Sequence, residues 1–160
     1  MSDKNIQFLT RAALIAAVYT ALTLIFAPIS YGELQVRISE ALTILPFFTP
    51  AASPGLLVGC LISNILGGAI LPDIIFGSLA TLIGAVGSYL LRENRYLVPV
   101  PPIAANAVIV PFVLRFGYGV NLPVPLMILT VGLGEIISCG VLGMLLLVVL
   151  EKYDNRIFTE

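Results

Sequence analysis

The side chains able to do chemistry in this chain are few, and most stand in apolar surroundings. Glu135 is the clearest case. It lies roughly a dozen residues into an apolar run from about Pro123 to Leu150, which at about 1.5 Å per residue puts it near mid-membrane. Gly132 and Gly134 stand beside it and Ser138 follows, leaving room for a ligand or a close backbone. An ionisable group at that depth is costly and is a functional candidate by default. The competing reading is a structural carboxylate paired with Arg or backbone donors.

A second cluster comprises Glu33, Gln35, Arg37 and Glu40. In an extended segment Glu33, Gln35 and Arg37 would point the same way. Arg37 and Glu40 would instead share a face if a helix began early. A solvated loop also carries such charges for no reason. Asp73 follows Pro72 and reads either as a site residue or as a helix N-cap, which Asp fills well. Asn64 and Asn106 are uncharged but still need partners in hydrocarbon, from a ligand or from another helix. Together, Glu33, Arg37, Glu40, Asn64, Asp73 and Glu135 could converge on a concave, mostly apolar pocket with a few placed polar groups.

What is missing narrows the function as much. The chain has no His, which removes the commonest general base and the commonest metal ligand. It has no GxxxxGK[ST] phosphate loop for ATP, and no nucleophile–base constellation of an enzyme. A net charge of −1 offers no basic field for nucleic acid. Cys60 and Cys139 form neither a CxxC pair nor a metal cluster and read as inert core residues.

The elements that position these groups are membrane helices. Hydrophobic residues make up 59% of the chain and charged ones only 11%, against about 25% charged in an average soluble domain. Apolar runs between turn signals give six segments: about Phe8 to Ala27, Ser39 to Thr49, Pro54 to Leu66, Ile74 to Leu91, Pro101 to Phe116 and Pro123 to Leu150. The expected fold is all-α, a polytopic membrane protein of six transmembrane helices forming one domain over residues 1–160. The second and third segments are short for spans. The first is a full span, longer than the core of a cleavable signal peptide. Ser53-Pro54 and Asn121-Leu122-Pro123 read as helix starts. With both termini inside, Lys4, Arg11, Arg92, Arg95, Lys152 and Arg156 fall on the cytoplasmic side, and only Arg37 and Arg115 outside.

Small residues mark close helix crossings. Ala12, Ala13, Ala16, Ala17 and Ala21 ridge the first segment, to dock a partner subunit or to pack within the chain. Gly55, Gly59, Ser63 and Gly67, and likewise Ala80, Gly84 and Ser88, recur every four residues and read as internal packing.

The run Gly32-Glu33-Leu34-Gln35-Val36-Arg37-Ile38-Ser39-Glu40-Ala41-Leu42-Thr43-Ile44-Leu45-Pro46 resembles the queuosine-precursor transporters called QueT. Asp73-Ile74-Ile75-Phe76-Gly77-Ser78-Leu79-Ala80-Thr81-Leu82 is similar to that family's second signature, and the likeness covers nearly the whole chain. The family belongs to the substrate-binding S-components of energy-coupling factor (ECF) transporters. The resemblance implies a six-helix protein of the bacterial cell membrane that binds a micronutrient from outside. It implies docking on a transmembrane coupling protein with two ATPase subunits, so that ATP is used only by the partners and this chain needs no cofactor. It assigns the alanine ridge to that docking. The implied cargo is a 7-deazaguanine such as queuine or its aminomethyl precursor, held by Glu33, Gln35, Arg37, Glu40, Asn64, Asp73, Asn106 and Glu135. Tyr31, Phe47, Phe76 or Tyr118 would stack on its ring. A different vitamin-like heterocycle, or a stand-alone facilitator, is the alternative.

Overall fold

A computed structural model describes residues 3–30 and 36–153, and every regular element among them is helical. Helix α1 spans Asp3–Ile25 and a short α2 spans Ala27–Ser30. A 3-10 helix, Ile38–Phe47, leads to α3, Ala52–Leu66, and α4, Leu71–Leu90. Helix α5, Val100–Phe112, runs on through a π-helical turn, Val113–Gly117. Helix α6, Val124–Glu135, continues through a π-helical segment, Ile136–Gly143, into α7, Met144–Glu151. Four of these stretches are long and apolar enough to cross a membrane: Asp3–Ile25, Leu71–Leu90, Val100–Gly117 and Val124–Glu151. The 3-10 helix and α3 are shorter apolar helices. At rises of about 2.0 and 1.5 Å per residue each measures only about 20 Å.

The order of segments matches the sequence reading, but the starts do not. Helix α1 begins at Asp3 rather than Phe8. Helix α3 begins at Ala52, so Ser53 lies inside it and no side chain caps its end. Pro123 itself is the N-cap of α6, again without a side-chain cap. In α3 and α6 a proline in the first turn, with its missing N–H and preset φ, replaces the capping bond.

The 3-10 helix forms the centre. Its residues from Ser39 to Pro46 are all buried, and it touches α1, α3, α4, α7 and the π segment of the last helix. Regular 3-10 runs of this length are uncommon because their hydrogen bonds are poorly aligned. Here neighbours supply extra bonds: the Glu40 carbonyl accepts from the Thr43 hydroxyl at 2.6 Å and from the Cys139 thiol at 3.4 Å.

Close crossings fix the bundle around it. A Cβ at Gly55 would lie 2.7 Å from the Ala12 carbonyl, and one at Gly59 would lie 2.9 Å from that of Ala16. The alanine ridge is therefore divided. Ala12 and Ala16 lie against the α3 backbone, while Ala13, Ala17 and Ala21 remain exposed. On α4, Gly84 meets Pro102 of α5, and the Ser88 hydroxyl donates to the Val98 carbonyl at 2.7 Å. An Arg95–Glu151 ion pair at 3.3 Å joins the loop after α4 to the end of α7.

Candidate ligand-binding site

The polar residues that hydrocarbon should exclude meet in one place. Glu40 in the 3-10 helix, Asn64 near the end of α3, Asp73 in the first turn of α4, Asn106 in α5 and Glu135 at the end of α6 are each 4% exposed or less. Arg37, the extended residue that precedes the 3-10 helix, is buried with them. Glu33 and Gln35, with Tyr31, lie outside the described residues.

Glu40 is the hub. Its Oε1 accepts from the Tyr19 hydroxyl of α1 and, at 3.3 Å, from the Thr81 hydroxyl of α4. Thr81 has one proton and three acceptors in reach, the others being the Gly77 carbonyl at 3.2 Å and Cys60 Sγ at 3.4 Å. Across from Glu40, Glu135 Oε2 accepts from the Cys139 thiol at 3.1 Å, and the Asn106 amide faces both carboxylates.

Arg37 and Asp73 make a second group beside the first. A guanidinium nitrogen of Arg37 lies 4.0 Å from Asp73 Oδ2, and another approaches Cys60 Sγ at 3.9 Å. Asp73 does not cap α4, since Ile70 holds that position. Its Oδ2 instead accepts from the Tyr118 hydroxyl at 2.9 Å. Tyr118 sits in the loop after the π turn, and its phenol is pushed up to about 12 by partial burial and by the Asp73 carboxylate. The Asn64 amide donates to the Asp73 carbonyl at 3.4 Å. Gly77 leaves room for all this: a Cβ there would lie 2.8 Å from Asp73 Oδ1 and 3.4 Å from Asn64 Nδ2.

Three polar atoms in this region are buried with no hydrogen-bond partner: Glu40 Oε2, Asn64 Oδ1 and Ser138 Oγ. Each such atom costs about 1–3 kcal/mol when left unmade, and each can accept from a donor brought to it. Glu40, Asp73 and Glu135 are three buried acids beside one buried cation, Arg37, among the described residues.

Phe76 is not brought to this cluster. It is 51% exposed and lines an apolar groove of about 440 Å³ with Phe112 of α5 and Phe116 of the π turn that follows. Cys60 and Cys139 are free and buried in the core, as the sequence reading has them, but their surroundings are not apolar. Both thiols touch Thr, Asn, Arg or Glu side chains of the cluster. Sequence reasoning also passed over Tyr19, Thr43, Gly77 and Thr81 as site residues. A lone Tyr among the alanines of α1 was the available clue to the first.

The donor atoms of Glu40, Glu135 and Cys139 lie within 4.8 Å of one another, the one grouping of metal-ligand type among the described residues. Two hard oxygens with one soft sulfur and no imidazole match no common metal's preference, and the thiol is engaged as a donor to Glu135.

The model of the QueT transporter family matches residues 9–152. Over 73 residues the chain is 40% identical to the queuosine precursor transporter QueT of Lactococcus lactis subsp. cremoris, a stretch covering 44% of this chain and 43% of that protein. No solved structure matches.

Proposed function

The chain belongs to the QueT transporter family, a family of transporters and not of enzymes, and from that premise we propose that it is the substrate-binding membrane subunit for a queuosine precursor. The cargo is a 7-deazaguanine with a cationic amine arm. One carboxylate takes the adjacent N–H donors of the guanine-type edge, as carboxylates take paired donors. The other takes the ammonium. Glu40 suits the first role because its Oε2 is buried and unpartnered, and Glu135 is the nearest acid for the second. That unpartnered, fully buried acceptor is the observation that carries the reading.

The subunit passes its cargo inward with an ECF coupling protein and two ATPases, since the chain has no phosphate loop of its own. Ala13, Ala17 and Ala21 support that docking: they line an exposed groove of about 430 Å³ beside Val58 and Ile62 of α3. The α5–α6 and α4–α5 loops fall at opposite ends of a bundle that crosses the membrane six times, with both termini in the cytoplasm. In this arrangement the 3-10 helix and α3 are short crossings shielded by longer neighbours.

The test is purification of the full chain and mass spectrometry of the small molecule that accompanies it, followed by titration with 7-aminomethyl-7-deazaguanine. A co-purified 7-deazaguanine supports the reading. Protein that binds none, and transports without partner subunits in liposomes, points instead to a stand-alone facilitator of another substrate.

A further inference from the structure

Helix α1 carries a second stripe, on the flank opposite the exposed alanines. Lys4, Phe8, Arg11, Ile15 and Val18 recur at spacings of three and four, so they share one face. Two cavities lie along that face. The first, about 250 Å³, is mixed in character, lined by Lys4, Asn5, Gln7 and Arg11 at the start of α1 together with Phe8 and Pro50. The second, about 200 Å³, is apolar and is lined by Leu14, Ile15 and Val18 of α1 with Leu42 and Leu45 of the 3-10 helix. Arg11 and Thr49 line both, so the two adjoin there. Among the described residues no Asp or Glu lines either.

We propose that this composite groove binds one anionic phospholipid of the leaflet bordering the start of α1. The phosphate sits between Lys4 and Arg11, and an acyl chain lies against Leu14, Val18, Leu42 and Leu45. A basic pocket at the membrane surface is how helices hold anionic headgroups. The apolar part supplies what a soluble phosphate has no use for. From Arg11 to Val18 the groove runs about 10 Å along α1 at 1.5 Å per residue, most of the depth of one leaflet, about 15 Å. Charge at one end and an apolar trough at the other match an amphiphile better than a peptide or a metabolite. The occupied groove would also hold α1 against the 3-10 helix that carries Glu40.

The experiment is native mass spectrometry of the full chain released from nanodiscs of phosphatidylglycerol and phosphatidylcholine with identical acyl chains. Wild type is expected to retain one phosphatidylglycerol, preferred roughly twentyfold, since each nearby basic residue contributes about fivefold. Lys4→Gln, an exposed first-turn position that the fold does not need, should cut the preference to about fivefold, and Lys4→Gln with Arg11→Gln should abolish it. Val18→Trp, which fills the trough, should reduce retention of either lipid while circular dichroism stays helical. Equal retention of the two lipids by wild type overturns the proposal, as does an undiminished preference in Lys4→Gln. So does equal binding of glycerol phosphate, which has no acyl chain.

Discussion

Replacing Glu40 by Gln isolates the charge at the centre of the cluster without removing its shape. The Gln Oε1 still accepts from Tyr19 and Thr81, so the bonds that hold the side chain in place persist. What changes is Oε2, the buried atom without a partner, which becomes an NH2 group facing the ligand. A hydrogen bond to a charged acceptor contributes about 1.5–3 kcal/mol. The variant loses one such bond outright, and the remaining bond to Oε1 becomes a neutral one worth about 1 kcal/mol. The combined loss is about 3 kcal/mol, or roughly a hundredfold in Kd at about 1.4 kcal/mol per tenfold. Because the chain has no Trp, isothermal titration in detergent with 7-aminomethyl-7-deazaguanine is the natural assay, with thermal unfolding as control. An unchanged midpoint and a Kd raised about a hundredfold are expected. A variant that is equally stable and binds within threefold of wild type would refute the assignment of Glu40 as the acceptor. Thr81→Val, which removes one neutral donor to Oε1, should cost only about 1 kcal/mol, or fivefold.

Four further outcomes test the surrounding frame. Ala17→Trp should abolish uptake in cells while leaving ligand affinity of the purified chain unchanged, because Ala17 is exposed in the groove beside Val58 and Ile62. Ala16→Trp should instead fail to fold, because Ala16 packs on Gly59. Gly59→Ala should destabilise by about 1–3 kcal/mol, as overpacking does, since its new Cβ would lie 2.9 Å from both the Ala16 carbonyl and Tyr19 Cβ; thermal unfolding measures it. Tyr118 gives a pH signature. Its folded pKa is raised from 10.0 to about 12, so its stabilising contribution is fully present below about pH 10 and lost as pH rises toward 12. An alkaline fall in unfolding temperature over that window should be smaller in Tyr118→Phe.

Most of the architecture was legible because hydropathy is a strong signal in a chain with so few charges. Helix order, the depth of Glu135 and the presence of close crossings on α1 and α3 all follow from apolar runs and four-residue spacings of Gly and Ala. The ridge of α1 was legible only as a ridge. Five alanines cannot show which edge meets α3, since that depends on the lateral offset of two helices, and the offset is set by Gly55 and Gly59. The caps misled for a related reason. Ser53 and Asp73 are good capping residues, but a neighbouring first-turn Pro had already dealt with the orphan N–H. Asp73 was thus released to meet Arg37 and Tyr118. Phe76 illustrates the opposite error, where membership of a signature block is taken for a place in the site; it stands only three residues from Asp73, yet its ring is half exposed in the groove beside Phe112 and Phe116 while Asp73 is buried.

The central segment is where sequence pattern and structure parted most, and the period explains both the error and the site. Read with a period of 3.6, Ser39 to Thr49 is a short and nearly featureless apolar helix. With three residues per turn, side chains at i and i+3 eclipse, and the same residues sort into three rows. Glu40 and Thr43 form one, turned to the thiols and hydroxyls of Thr81 and Cys139. Ala41 and Ile44 form the second, against Gly143 of the last helix, where a Cβ would lie 3.0 Å from Ile44 Cγ2. Leu42 and Leu45 form the third, walling the trough beside α1. A segment of ten residues wound as an α-helix would be about 15 Å long and would smear these rows across its neighbours. Wound tightly it is about 20 Å long, and each neighbour meets a single kind of surface. The tight winding is therefore what lets one short helix serve as core and present Glu40 to the polar cluster together, and the extra bonds to the Glu40 carbonyl from Thr43 and Cys139 offset its poorer hydrogen-bond alignment.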